Sequence, residues 1–146
     1  MLIRVVLDTN VLVSATLVSN GIEFRLVKLW QQGAFDRVFS PAALAEFIRV
    51  LSYPKFLKRR WMTRAEIEAL AQSFAEQSVF VSGEVQACRS RDPDDNKFLA
   101  AAAEARAQFL ITGDRDLLVL QSEGETKILT PRVFLDWWNS DRERSP

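Results

Sequence analysis

The stretch RVVLDTNVLVSA, Arg4 to Ala15, decides how the rest of the chain is read. It opens on β-branched and apolar residues, sets Asp8, Thr9 and Asn10 side by side, and returns at once to valine and leucine. With Ile3 in front, IRVVL has the shortness and β-branched content of a strand buried on both faces of a parallel sheet. Such a strand can end on a carboxylate, a hydroxyl and an amide because they form a polar turn and a helix N-cap. It can equally do so because those groups hold a ligand. Nothing local separates the two.

Working outward, DRVFS (36–40), VFV (79–81), FLIT (109–112) and the weaker KILT (127–130) read as four further strands. Helical segments alternate with them. IEFRLVKLWQQ (22–32) places Ile22, Leu26, Leu29 and Trp30 on one face, and Gly33 can close it. Ser40 caps and Pro41 opens PAALAEFIRVLS. Thr63 and Glu66 stand at capping-box spacing before the stripe Ile67, Leu70, Ala71 and Phe74. DPDDNKFLAAAAEARA (92–107) has Pro93 at a helix start, acids in the first turn and then strong helix formers. Pro131 begins a closing helix, PRVFLDWWN. The alternation predicts an α/β fold, a parallel sheet of about four to five strands flanked by helices on both faces. It predicts a single domain over residues 1–146, with a frayed tail from about residue 140.

Composition narrows the chemistry. At 146 residues, with 48% hydrophobic and 26% charged, the chain can bury a sizeable core. No apolar run approaches the ~20 residues of a membrane span, and no signal-peptide pattern opens the sequence, so a cytoplasmic location away from membranes is expected. Cys88 is the sole cysteine, which excludes an internal disulfide and a cysteine-rich zinc site and suits packing. Histidine is absent, so serine–histidine and cysteine–histidine catalysis are excluded. Lys+Arg and Asp+Glu balance at 19 each, so any attraction to nucleic acid must come from local clustering.

In an open parallel sheet, ligands bind beyond the carboxyl ends of the strands. Asp8 follows strand one, and Asp114 and Asp116 of TGDRDL follow strand four. Asp92, Asp94 and Asp95 open the helix after strand three, and Glu46 lies one turn into the helix after strand two. Each acid also has an ordinary role. DPDD is a well-capped helix start, TGDRD a Gly–Asp turn, and Glu46 sits off the stripe of Leu44, Phe47, Ile48 and Leu51, facing solvent. Their conjunction is harder to explain structurally, because like charges gathered at one sheet edge repel unless a cation neutralises them. An all-oxygen donor set suits Mg²⁺ or Mn²⁺. One or two such ions can activate water for phosphodiester cleavage.

Taken in order, LDTNVLVSA, LAEFIRVLSYPKF, DPDDNKFLAAAAEA and LITGDRDLL resemble PIN-domain proteins, and most closely the VapC-like toxins of bacterial toxin–antitoxin systems. The resemblance runs from strand one to about Leu120. It implies a metal-dependent endoribonuclease that hydrolyses RNA to 5′-phosphate and 3′-hydroxyl ends in an acidic pocket binding Mg²⁺ or Mn²⁺. Carried over residue by residue, Asp8 is the first acid, supported by Asn10, and Glu46 is the second. Asp95 is the third, three residues before the apolar position filled by Phe98, although Asp92 and Asp94 crowd it. Asp114 is the fourth, Asp116 a further one, and Thr112 orients the metal shell. On this basis Asp8, Asp95 and Asp114 hold the metal, while Glu46 and Asp116 hold or polarise water.

The same resemblance implies a cognate antitoxin protein that covers the pocket, and commonly a homodimer. For RNA, KFLKRRWMTR gathers Lys55, Lys58, Arg59, Arg60 and Arg64 around Phe56 and Trp61. Lys58, Arg59, Arg60 and Trp61 are the candidate contacts, against the alternative of a solvated loop. Trp30, Trp61, Trp137 and Trp138 suit either core packing or an apolar contact surface. Two other classes compete. A haloacid-dehalogenase-like phosphatase carries a second acid two residues after the first, where this chain has Asn10. A non-catalytic binding module would use the acids as caps or regulatory ligands.

Overall fold

In the computed structural model, which describes residues 3–57, 62–84 and 95–144, the opening stretch becomes two elements. Strand β1 (Arg4–Leu7) buries Val5, Val6 and Leu7, which alternate between faces, so both sides of the strand are covered. Helix α1 (Thr9–Leu17) starts immediately after it, with Asp8 as its N-cap. Val11, Leu12, Val13 and Ala15 are all buried, so α1 lacks the one-sided apolar stripe by which helices are recognised in sequence.

The chain continues through α2 (Ile22–Gln31), β2 (Asp36–Phe39), α3 (Pro41–Leu51), the short α4 (Pro54–Leu57), α5 (Arg64–Glu76) and β3 (Val79–Phe80). Then come α6 (Asn96–Ala105), β4 (Phe109–Ile111), α7 (Arg115–Leu118), β5 (Ser122–Glu123), β6 (Thr126–Leu129) and α8 (Pro131–Arg144). The starts of α3 and α5 follow the sequence signals. Ser40 Oγ accepts from the Ala43 N–H at 3.3 Å, and Thr63 and Glu66 form a reciprocal capping box. Gly33, at φ +83°, closes α2. Helix α8 runs on to Arg144, into the stretch read from sequence as a tail.

The sheet has six strands in the order β3-β2-β1-β4-β6-β5, against the four to five expected. All neighbours are parallel except β5, which pairs antiparallel with β6. The additional strand is two residues long, and a turn through Gly124 at φ +58° returns it onto β6. Ser122 and Glu123 carry no apolar alternation, which is why the sequence does not announce it. β1 lies between β2 and β4, with Val5 opposite Arg37 on one side and Phe109 on the other. The chain therefore builds outward from β1 in one direction and resumes at β4 in the other, so the switch point falls between the ends of β1 and β4.

Small side chains set the depth of α6. Leu99, Ala101, Ala102 and Ala105 are buried where the helix meets β1, β2 and β4. Phe134 fixes α8 edge-on to Phe35 at 5.6 Å and Phe109 at 5.4 Å. Trp30 and Trp138 pack into this core, whereas Trp137 is 37% exposed. Among the described residues, no helix is long and apolar enough to cross a membrane.

Two arginines occupy unfavourable settings. Arg106 ends α6 in the left-handed region at φ 53°, with its side chain exposed. Glycine adopts that conformation without a Cβ penalty, so Arg106→Gly is expected to stabilise by about 1 kcal/mol, about 3 °C in Tm. A thermal melt checks this. Arg37, 1% exposed, lies with its guanidinium 3.9 Å from the Trp30 ring, 4.2 Å from Phe39 and 4.7 Å from Phe74. It donates to Ser78 Oγ at 3.1 Å, but its Nε and Nη1 have no hydrogen-bond partner. Burial depresses its pKa to about 9. The charge penalty is roughly 5 kcal/mol, largely offset by three ring contacts of about 1–2 kcal/mol each. Arg37→Met keeps the packing and removes the charge, so a gain of about 1 kcal/mol is expected in urea unfolding at neutral pH. The difference should shrink above about pH 9, where the folded wild type sheds the proton.

Candidate active site

The carboxyl ends of β1 and β4 are locked in register, and the acids follow from that. The Asp8 N–H donates to the Ile111 carbonyl at 3.0 Å, continuing the ladder to the last strand residue. One residue later Thr112 is fully buried, and its hydroxyl donates to Asp8 Oδ2 at 2.5 Å. That hydroxyl also accepts from the Asp114 N–H at 2.9 Å, so one threonine joins the two strand ends. Asp114 caps the four-residue helix α7, and its Oδ1 accepts from the Asp116 N–H at 2.8 Å. A one-turn helix thus brings Asp116 beside Asp114.

Asp95 arrives from the N-terminus of α6 and is 7% exposed. One carboxylate oxygen from each of Asp95, Asp114 and Asp116 lies within 4.8 Å of the others. Asp8, joined to Asp114 through the Thr112 hydroxyl, is 4% exposed and accepts from the Asn10 N–H at 3.4 Å through Oδ1. Burial raises the Asp8 carboxyl above its ordinary 3.8, opposed by the Thr112 and Asn10 hydrogen bonds and reinforced by the charges of Asp114 and Glu46. Those last two contributions mean that all three carboxylates share one electrostatic neighbourhood.

Glu46 reaches the site from α3. It is not the solvated residue its helical position suggested, since its side chain is 20% exposed and pairs with Lys97 of α6 at 2.5 Å. Beside the acids, a cleft of about 320 Å³ is lined by Asn10, Val11, Ser14, Glu23, Gly113, Asp114 and Pro131. It opens alongside α1 and the start of α8, large enough for a nucleotide-sized group.

The structure therefore gathers Asp95, Asp114 and Asp116 most tightly, with Asp8, Thr112 and Asn10 supporting them from β1 and α1. Glu46 is tied in through Lys97. Lys58, Arg59, Arg60 and Trp61, the candidate RNA contacts, lie outside the described residues, as do Cys88, Asp92 and Asp94. Lys97 was not singled out from the sequence, although a signal was there. A lysine in the first turn of a helix opposes the macrodipole, which favours anions at that end.

The donor set fits a hard divalent cation. Around an octahedral Mg²⁺ the ligand oxygens stand about 3–4 Å apart, within reach of the three aspartates after small side-chain shifts. There is no nitrogen or sulfur among these groups to favour zinc.

A β1–α1 acid, an acid opening α6 and an acid pair after β4, all around the switch point of a mostly parallel sheet, define an acidic-pocket α/β protein. Residues 4–116 match the model of the PIN domain, and the chain belongs to that family. It is 32% identical over 142 residues to the uncharacterized protein MJ1680 of Methanocaldococcus jannaschii, a match covering 92% of this chain and 90% of that one. Among solved structures it is similar to a chain of VapBC2 from Rickettsia felis, crystallised with a DNA fragment from the promoter of that pair. The TM-score is 0.57 at 12% identity, over 86% of this chain and 96% of that one. This second likeness is one of fold. PIN domains are generally nucleases.

Proposed function

We propose that the protein is a metal-dependent endoribonuclease and the toxin of a toxin–antitoxin pair. The observation that carries the nuclease reading is the convergence of Asp95, Asp114 and Asp116 within 4.8 Å, set beside the buried Asp8. Three carboxylates gathered this closely, with a fourth buried nearby, repel one another, and local capping explains only part of the arrangement. Asp95, Asp114 and Asp116, together with Asp8, would hold Mg²⁺ or Mn²⁺. When bound, the cation supplies a lowered pKa for attacking water and positive charge for the phosphate.

The chain's own groups do the rest. Thr112 fixes Asp8 and the Asp114 backbone together, so the pocket is preorganised by hydrogen bonds. Asp114 and Asp116 are half-buried and open to an incoming strand, whereas Asp8 and Asp95 lie deeper. The cleft lined by Asn10, Ser14 and Glu23 offers polar contacts to a nucleotide flanking the scissile bond. Water attacks phosphorus in line with the 3′ oxygen. The P–O3′ bond breaks, leaving a 5′-phosphate and a 3′-hydroxyl, and a pocket carboxylate or bulk water takes the proton. The likeness to VapBC2 supports an antitoxin protein as partner, and a homodimer belongs to the same proposal.

The test is a panel of labelled RNAs incubated with wild-type protein in Mn²⁺ or in EDTA. Cleavage in Mn²⁺ alone, with 5′-phosphate ends, is expected. Turnover of p-nitrophenyl phosphate without any RNA cleavage would overturn the nuclease reading in favour of a phosphatase. Co-expression with a candidate antitoxin, rescuing growth that this protein alone arrests, tests the pairing.

A further inference from the structure

Lys97 is misplaced for the helix it belongs to and well placed for the pocket. It is the second residue of α6, where a positive charge works against the helix dipole. Its ammonium instead meets Glu46 Oε2 at 2.5 Å, with the two side chains only 19% and 20% exposed. That oxygen is shut off from solvent and has no other partner among the described residues. Glu46 in turn acts electrostatically on Asp8, and Lys97 follows Asp95 by two residues at the start of α6, so the ion pair borders the acidic trio. The three aspartates whose oxygens converge do not include Glu46.

Two-metal nucleases hold ions about 3.5–4 Å apart and need carboxylates free to serve both. Here Glu46, the described carboxylate that reaches Asp8 from α3, is already engaged by an ammonium. Resting on the nuclease reading above, we propose that Lys97 takes the place of a second metal ion. The pocket binds one divalent cation through Asp95, Asp114 and Asp116 together with Asp8. Lys97, anchored on Glu46, is a positioning and charge-supplying residue that presents its ammonium to the RNA phosphate. No proton transfer from Lys97 is needed, because an ammonium hydrogen-bonded to a phosphate oxygen already provides the charge.

The test counts bound Mn²⁺ per chain, without RNA, by calorimetry and by electron paramagnetic resonance. Wild type is expected to bind one ion. Lys97→Met and Lys97→Gln, which remove the charge from Glu46 and keep most of the side-chain length, are expected to bind two, and their RNA cleavage should change from a hyperbolic to a sigmoidal dependence on Mn²⁺. Lys97→Arg should stay at one ion and keep most of its cleavage. Two ions in the wild type, or one ion in both Lys97→Met and Lys97→Gln, would overturn the inference. In either case metal-dependent RNA cleavage by the wild type would leave the nuclease reading standing. No bound Mn²⁺ and no cleavage would remove both.

Discussion

Asp114→Asn is expected to lose RNA cleavage on the order of 10³-fold, about 4 kcal/mol of transition-state stabilisation, while remaining folded. The reason lies in the two jobs of one side chain. As a cap, Asp114 Oδ1 accepts from the Asp116 N–H at 2.8 Å, and asparagine caps a helix about as well as aspartate. As a member of the acidic trio, it contributes a negative charge that an amide cannot replace. The substitution therefore separates the structural role from the chemical one. Asp114→Ala removes both, and its melt should fall by a further ~1 kcal/mol relative to Asp114→Asn. Equal cleavage by wild type and Asp114→Asn would show that the acids at β4 are caps and no more.

Mn²⁺ is expected to raise the Tm of the wild type by about 8 °C at a hundredfold excess over its Kd, the equivalent of ~2.7 kcal/mol. Asp8→Asn should behave in the opposite way. Without metal it should be the more stable protein, because burial makes the Asp8 charge unfavourable and Asp114 and Glu46 add to that. With Mn²⁺ it should gain far less than the wild type. The pH dependence follows from the raised carboxyl. In the folded protein Asp8 binds its proton more readily than in the unfolded chain, so its contribution to stability is complete below 3.8 and is lost as pH rises through the folded value. The metal-free advantage of Asp8→Asn should thus be largest at neutral pH and close on mild acidification. Parallel melts of the two proteins with EDTA across pH check this. A metal-free Asp8→Asn less stable than wild type at neutral pH would mean that the Thr112 hydrogen bond outweighs the buried charge.

Much of the architecture was legible because its signals are local. IRVVL and FLIT announce strands by composition, Ser40-Pro41 and Thr63-x-x-Glu66 announce helix starts, and each is borne out by a hydrogen bond that the sequence spacing alone implies. α1 was legible only through its possible cap at Asp8, since a buried helix and a buried strand share the same apolar run. β5 was not legible either, because two polar residues become a strand only through the turn at Gly124 and the neighbouring β6.

The candidate site divides in the same way. Asp8, Asp95, Asp114 and Asp116 are visible in sequence, because acids directly after strands or at a helix start stand at the end of a parallel sheet where ligands bind. Glu46 was placed in solvent by its helical register. Its burial depends on α6 carrying Lys97 across to it, a contact between residues far apart in the chain. Arg37 reads as an ordinary strand-start charge, and only the convergence of Trp30, Phe39 and Phe74 makes it a buried cation.

By itself, then, the sequence determined the α/β class, most element boundaries and the candidate acids at the strand ends, because periodicity, capping and strand-end placement are properties of neighbours along the chain. Only the tertiary structure decided how those acids share space. Whether Asp8 is hydrogen-bonded by Thr112, whether Asp116 stands with Asp95, and whether a lysine neutralises Glu46 depend on the pairing of β1 with β4 and the packing of α6. Charge interactions fall off with distance in space, not along the chain. DTN therefore marks the end of a strand in the sequence, and the β1–β4 register makes its aspartate part of an acidic centre.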